Sequence, residues 1–373
     1  MKKMIDFLLF LVGIRRKKKS SQSFKPLVTV LIPAYNEEET IGDTILSVQS
    51  QSYPIKEIIV IDDCSSDRTG EIARDLDVKV IRIPKNSGTK SKAQNFCLRF
   101  VETDLVATID ADTILDSKAM ELIISALDDQ EVLSACGFVI PQKIRTFWEK
   151  CRLVQYLYYI GLNKSAQAHL GIPLVSSGCF SIFNTKMLKE MGGFPEGTIV
   201  EDMALTWRAH LEKKQIKFVP QAVCYPKDPS NWKQYKSQVM RWNRGFLQCV
   251  GKYKLSLIKN PRLAFFVFLY LLSGFLQPLF LGFFIWYIIW FFSTNAYQGE
   301  ILFILPFFGL LLEMSIVFSV ILIAGIRYKY LKLALISFPY YWLIAPVDTY
   351  LFVSAVFQEW IFGKKLENWE KGH

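Results

Sequence analysis

From Leu263 to Phe292 the chain carries no charged residue. At about 1.5 Å per helical residue, such a stretch exceeds the roughly 30 Å of bilayer hydrocarbon, so it predicts a helix that spans with a tilt or with a bend near Pro278. Two further apolar stretches follow: Ile301 to Ile326, with Glu313 as its one charged residue, and Leu333 to Phe362, which holds Asp348, Glu359 and two prolines. The last reads either as one crossing or as an interfacial helix followed by a crossing or re-entrant turn, which leaves the side of the C-terminus open. Arg327, Lys329 and Lys332 mark the loop before it as cytoplasmic, whereas residues 293–300 contain no Lys or Arg. Upstream, Arg15 to Arg262 is dense in charge. The overall 51% hydrophobic and 21% charged content therefore averages two unlike parts, a water-facing domain and a membrane region. Disorder, collagen-like repeats and a secreted disulfide scaffold are excluded by the same figures.

The net charge of +10 (44 Lys+Arg against 34 Asp+Glu) admits nucleic acid, an anionic membrane surface or a phosphorylated substrate as partner. Its location narrows the choice. Arg15 to Lys19 directly follow the short apolar segment Met4 to Ile14, which is too short to cross a bilayer as a helix and reads as a membrane-surface anchor. A secretory signal fits less well, since no small-residue cleavage site follows. No aromatic and basic array of the nucleic-acid-stacking kind is present. The seven cysteines stand singly, without Cys-x-x-Cys pairs, as in a reduced cytosolic domain.

Between Pro26 and Ile109 short β-branched runs alternate with helical spacings. Strands are predicted at Val28–Ile32, Glu57–Ile61, Val78–Ile83 and Leu105–Ile109. Helices are predicted at Thr40–Gln51, Ser66–Leu76 and Lys90–Val101. This alternation predicts a mostly parallel sheet covered by helices on both faces, in which ligands bind at the carboxyl ends of the strands. Asp62-Asp63 and Asp110-Ala111-Asp112 both fall at such ends. Hard carboxylate oxygens in an Asp-x-Asp suit Mg²⁺ or Mn²⁺ and would neutralise a departing nucleoside diphosphate. Lys90, after Gly88, could pair with phosphate. Taken alone, Glu201-Asp202 could simply cap a helix, Arg241 and Trp242 could be interfacial anchors, and Glu313 could serve packing or a polar path.

Taken in order, these residues form a pattern. Val30-Leu31-Ile32-Pro33-Ala34-Tyr35-Asn36-Glu37-Glu38, Val60-Ile61-Asp62-Asp63-Cys64-Ser65-Ser66-Asp67, Asn86-Ser87-Gly88 with Lys90 and Asn95, and Asp110-Ala111-Asp112 resemble the nucleotide-sugar half of the family 2 glycosyltransferases. Ser177-Gly178, Glu201-Asp202 and Gln238-Val239-Met240-Arg241-Trp242 resemble that family's acceptor-side motifs, the last being its Gln-x-x-Arg-Trp signature. The membrane-integrated synthases of poly-N-acetylglucosamine, hyaluronan, chitin and cellulose carry this signature just before their transmembrane helices. Many of them have Arg where Val239 stands here.

The resemblance implies a GT-A-type domain at residues 25–250, preceded by a membrane-surface segment at 1–24 and followed by transmembrane and interfacial helices at 251–373. It implies that Tyr35, Glu37 and Asp63 hold the uridine, with Lys90 near the diphosphate; Asp62, on the same rim, is a further substrate-binding candidate. Asp110 and Asp112 would face the metal and the sugar nucleotide, and Asp202 would be the general base beside Glu201, Ser177 and Gly178. Gln238, Arg241 and Trp242 would clamp the diphosphate and stack the acceptor. An inverting transfer asks for these residue types: one carboxylate takes the acceptor proton while cations stabilise the departing diphosphate.

The implied activity is transfer from a UDP-sugar, UDP-N-acetylglucosamine first, to a growing β-linked polysaccharide or oligosaccharide with Mg²⁺ or Mn²⁺, by an integral membrane protein whose catalytic domain is cytoplasmic. Its partners would be the UDP-sugar, a glycan or lipid acceptor and membrane lipids, with a homo-oligomer or partner subunit able to complete a pore, and no nucleic acid. Two other readings compete: a single transfer to polyprenyl phosphate or diacylglycerol, and a non-catalytic scaffold that senses nucleotide sugar.

Overall fold

The computed structural model describes residues 25–129, 131–294, 304–364 and 366. The Met4–Ile14 segment, its basic run and most of the 293–300 loop lie outside these residues. The chain runs β1 (Val28–Ala34), α1 (Ile41–Gln49), β2 (Glu57–Asp62), α2 (Thr69–Asp75), β3 (Lys79–Arg82), α3 (Lys90–Leu98) and β4 (Leu105–Ile109). These four strands are parallel, in the order β3-β2-β1-β4. Strand pleating sorts their side chains to opposite faces. Val28, Val30 and Ile32 of β1 join Val60 and Ala107 in one core against α1, while Leu31 joins Ile59, Ile61 and Val106 in another against α3.

The sheet then becomes mixed. β5 (Thr113–Leu115), α4 (Ala119–Ile124) and β6 (Val132–Val139) are followed by α5 (Phe147–Gln155), a π-helical stretch over Tyr156–Lys164 and α6 (Ser165–His169). Next come β7 (Phe180–Asn184), α7 (Thr185–Glu190), α8 (Glu201–Leu211) and β8 (Gln215–Pro226). β7 pairs antiparallel with β4 and with β6, β8 runs parallel to β6, and the full order is β3-β2-β1-β4-β7-β6-β8-β5. α5 opens on a capping box: Thr146 Oγ1 accepts from the Glu149 N–H, and the Glu149 carboxylate accepts from the Thr146 N–H.

α9 (Trp232–Leu257) passes residue 250, so the chain turns towards the apolar helices only at 258–260. These are α10 (Pro261–Thr294), α11 (Ile304–Arg327), the short α12 (Leu331–Ser337) and α13 (Tyr340–Val356), which continues as a π-helical turn over Phe357–Ile361. The third apolar stretch thus divides into a short helix and a longer one at Pro339, which caps α13, a position where its missing N–H is harmless. Among the described residues, Phe308–Arg327 and Tyr340–Ile361 are long and apolar enough to cross a membrane, and Pro261–Leu276 is a shorter apolar stretch. Glu313 is exposed on α11. The apolar helices pack on the domain directly: Val317, Ile321 and Ala324 share a core with Phe138 and Leu157, and Ile344 and Leu351 share one with Tyr235 and Val239. Val239, where the family resemblance offered an arginine, is one of these buried contacts.

Candidate active site

A cavity of about 670 Å³ opens at the carboxyl ends of β1, β2 and β4, closed on the far side by the first turn of α8 and by α9. Tyr35, Glu37, Asp63, Lys90, Asp110, Asp112, Ser177, Gly178, Glu201, Asp202, Gln238, Arg241 and Trp242 all line it. Asp62 does not. As the last residue of β2 it points to the face of Val60, is fully buried, and accepts from the Ser65 N–H (2.8 Å) and from Arg82 (2.7 Å). Its role is to brace the loop after β2, and the sequence expectation that it contacts nucleotide is corrected accordingly.

Asp63, one residue beyond the strand, faces the cavity. Its two carboxylate oxygens accept from the N–H and the hydroxyl of Ser87, each at 2.8 Å, which pins the 86–88 loop over the β2 end. Opposite, Asn36 takes a left-handed φ of 53° and its side-chain oxygen accepts from the Ser66 N–H, while the Glu37 N–H donates to Thr69. The loops after β1 and β2 are thereby locked together along the rim bearing Tyr35 and Glu37.

At the centre of the cavity Lys90 carries the charge balance. Its ammonium donates to Asp110 Oδ1 and to the Gly178 carbonyl (2.9 Å) and lies 3.5 Å from Glu201. Burial works against the Lys90 charge, yet Asp110, Glu201 and Asp202 together hold its pKa above the ordinary value, so it stays an ammonium. Asp110 is 35% exposed, but only into the cavity, and burial raises its carboxyl pKa against the pull of Lys90, with Asp112 adding to the rise. Burial likewise raises Glu201. Lys90 therefore ties four chain segments together at the cavity wall.

Asp202 sits in the first turn of α8, where acidic residues favour the helix dipole. Its Oδ2 accepts from the Gly178 N–H at 2.9 Å and its Oδ1 from the Met203 N–H at 2.7 Å. The Gly178 segment is itself fixed, because Thr206 accepts from the Ser176 N–H (2.8 Å) and donates to the Asp202 carbonyl (2.7 Å). A β-carbon at 178 would stand 2.9 Å from Asp202 Oδ2, so only glycine permits this approach. Ser177 accepts from Lys164 at 2.6 Å.

On the α9 side, Arg241 contributes positive potential at Asp110. Gln238 Oε1 accepts from Arg152 of α5 at 2.5 Å, and the Arg152 guanidinium lies 4.6 Å from the Trp242 ring centre and 4.5 Å from that of Tyr235. Arg152 is 4% exposed; it also donates to Gln155 (3.0 Å) and lies 3.8 Å from Asp228. Gln155 and the Tyr235 hydroxyl each donate to Asp348 of α13 at 2.6 Å. The sequence reading missed Arg152, Gln155, Tyr235 and Asp228. Its available signals were the polar face that Arg152, Gln155 and Tyr156 make on one helix and an acid, Asp348, inside an apolar stretch.

Asp228 lines the cavity and accepts from Tyr156 at 2.8 Å, but its Oδ2 is buried without a hydrogen-bond partner. Burial raises its pKa to about 7 despite Arg152 and Tyr156. An orphaned carboxylate oxygen that feels the charge of Asp112, in a cavity that Asp110 also lines, belongs to a hard, anionic donor set that suits Mg²⁺ or Mn²⁺. Among the described residues no three Asp, Glu, His or Cys side chains form a closed protein-built metal site, so ligand oxygens and water would have to complete the shell.

Residues 29–192 match the sequence family described as glycosyl transferase family 2. The chain is 32% identical over 248 residues to the poly-beta-1,6-N-acetyl-D-glucosamine synthase of Staphylococcus epidermidis and 30% identical to that of Staphylococcus aureus strain COL. Each match covers 65% of this chain and 60% of the relative, so the chain spans about 60% of the length of the curated relatives it matches. Its fold is similar to that of a mannosyltransferase from Pyrobaculum calidifontis solved in complex with GDP-Man and Mn2+, with a TM-score of 0.59 at 18% identity over 93% of this chain and 96% of that one.

Proposed function

We propose that this chain, whose residues 29–192 form a family 2 glycosyltransferase domain, is a membrane-bound inverting transferase that moves N-acetylglucosamine from UDP-N-acetylglucosamine to a growing β-linked glycan. The observation that carries this reading is Asp202, held by two backbone N–H groups at the cavity wall, with cationic Lys90 and Arg241 on the Asp110 side. Similarity to the poly-beta-1,6-N-acetyl-D-glucosamine synthases supports the choice of sugar.

Tyr35, Glu37 and Asp63 would hold the uridine half of the donor, and Arg241 the diphosphate with its bidentate fork. Asp202 would accept the proton of the acceptor hydroxyl as that oxygen bonds to the anomeric carbon and the carbon–oxygen bond to UDP breaks. Trp242, 36% exposed, offers a face on which the acceptor sugar stacks. Asp112, with Asp110, would hold Mg²⁺ or Mn²⁺, which when bound supplies counter-charge to the diphosphate. Lys90 would keep Asp110 and Glu201 paired and in register. The apolar helices Phe308–Arg327 and Tyr340–Ile361 would anchor the domain in the cell membrane, on its cytoplasmic side.

One feature favours a second acceptor class: Tyr270 of α10 lines the same cavity, so the acceptor side reaches an apolar helix. A polyprenyl phosphate or diacylglycerol acceptor would use that wall. Detergent-solubilised protein offered a panel of UDP-sugars with Mg²⁺ or Mn²⁺ tests both readings. The glycan reading expects UDP release from UDP-N-acetylglucosamine, a polymer ladder on a gel, and loss of turnover in Asp202→Asn. A single-sugar glycolipid would establish the lipid acceptor instead, and UDP binding without turnover would overturn the enzymatic reading in favour of a sensor or scaffold.

A further inference from the structure

We infer that Arg152 is a positioning residue for this transfer, and that Asp348, a carboxylate in membrane-length helix α13, sets its position through Gln155 and Tyr235. The inference rests on the glycosyltransferase reading above. Arg152 is absent from the cavity lining, yet three of its neighbours, Gln238, Trp242 and Asp228, are part of it. Its planar fork divides between Gln238 Oε1 and Gln155 Oε1, and its flat face packs at 4.6 Å from the centre of Trp242. One side of the indole is thus covered by a buried cation while the ring remains 36% exposed, so the ring orientation offered to a ligand is fixed from behind.

A lysine could not reproduce this geometry, because an ammonium has no plane to stack and no pair of divergent donors. The guanidinium is located in turn by hydrogen bonds that end on the membrane helix: Gln155 and Tyr235 each reach an oxygen of Asp348 at 2.6 Å, and Gln155 also bonds the Tyr235 hydroxyl at 3.1 Å. Three elements, α5, α9 and α13, therefore share one polar network, which meets the cavity lining at Gln238, Trp242 and, through the Arg152 ion pair, Asp228. Replacing a buried network of this kind by apolar packing is often neutral for stability, and such networks confer geometric specificity in some systems.

The test uses the full chain in detergent with UDP-N-acetylglucosamine and Mn²⁺, reading kcat and donor KM by UDP release, UDP affinity by calorimetry, and thermal midpoint. Arg152→Lys should lower kcat about tenfold or more, and Tyr235→Phe, which keeps its packing and loses one hydroxyl, about threefold. Donor KM and UDP affinity should stay within about twofold of the parent, because the uridine rim is untouched. Adding Gln238→Ala to Arg152→Lys should cost little beyond the first change, as expected for groups acting as a unit. Should Arg152→Lys fail to fold, Tyr235→Phe carries the measurement alone. Wild-type kcat in both variants, or a loss of UDP affinity in step with kcat, would overturn the inference while leaving the transferase reading intact; absence of turnover in the parent would overturn both.

Discussion

The Gly178 N–H donates to Asp202 Oδ2 at 2.9 Å, and the space above Gly178 is the space that carboxylate occupies. A methyl group there would meet Oδ2 at 2.9 Å and the Asp202 β-carbon at 3.5 Å, both backed by a fixed helix turn. Gly178→Ala should therefore swing the carboxylate aside and lower kcat on the order of 10²-fold, the usual consequence of an ångström-scale misplacement. Folding should be little changed, which circular dichroism and the thermal midpoint would check. Unaltered UDP release in this variant would remove Asp202 from the proposed role.

Lys90 makes a stability prediction with a defined pH window. Its side chain is only 10% exposed and it neutralises Asp110 and Glu201, so Lys90→Met should destabilise the fold by about 3 kcal/mol, as when one partner of a buried pair is removed. Because the folded-state pKa is raised above the ordinary 10.5, the contribution is fully present below that pH and fades as pH climbs towards the folded value. Denaturant midpoints of parent and variant should differ constantly between about pH 7 and 10 and converge above 10.5.

Asp228 behaves in the opposite pH range. Its folded pKa of about 7 stands above the ordinary 3.8, so its contribution favours folding when the group is protonated and is lost as pH rises from about 4 through 7. Asp228→Asn mimics the protonated form. In chelator-treated protein, the variant should gain stability relative to the parent across that interval and level off above it. A difference that stays flat from pH 4 to 8 would contradict the assignment.

Metal dependence offers a fourth check. Treatment with EDTA should abolish UDP release, with recovery on adding Mg²⁺ or Mn²⁺, and Asp112→Asn should raise the metal concentration for half-maximal activity by on the order of tenfold or more. Full activity in EDTA would show that Asp110 and Asp112 serve the donor directly.

Much of the rim at the ends of β1, β2 and β4 was legible because it is local. β-branched runs at Val28, Glu57 and Leu105 specify buried parallel strands, and residues at their carboxyl ends reach one rim by topology alone. The misassigned Asp62 illustrates the same rule at finer grain: the period-two alternation that sends Val60 to the α1 face sends Asp62 there too, and only Asp63 escapes the strand. The α9 side of the cavity was legible in the run Gln238 to Trp242, but not in what supports it. Arg152 meets Gln238 across 86 positions of sequence, and Gln155 meets Asp348 across 193, separations over which no spacing pattern operates. The switch to antiparallel pairing at β7 was equally invisible, since it depends on where a long excursion through α5 and α6 returns.

α9 is a single uninterrupted helix from Trp232 to Leu257, with Trp242 near the cavity and Leu257 at the turn into the first apolar helix. Trp242 lies about 23 Å along that rod from the end that meets the apolar helices. Rocking the rod by about five degrees would carry the indole some 2 Å, several times the tolerance of roughly 0.5 Å that catalytic constellations allow. On the function proposed above, leverage of this kind would make the lipid bed part of the alignment: a change in its thickness or lateral pressure would reach the face of Trp242 as a mechanical displacement, without any ligand to announce it.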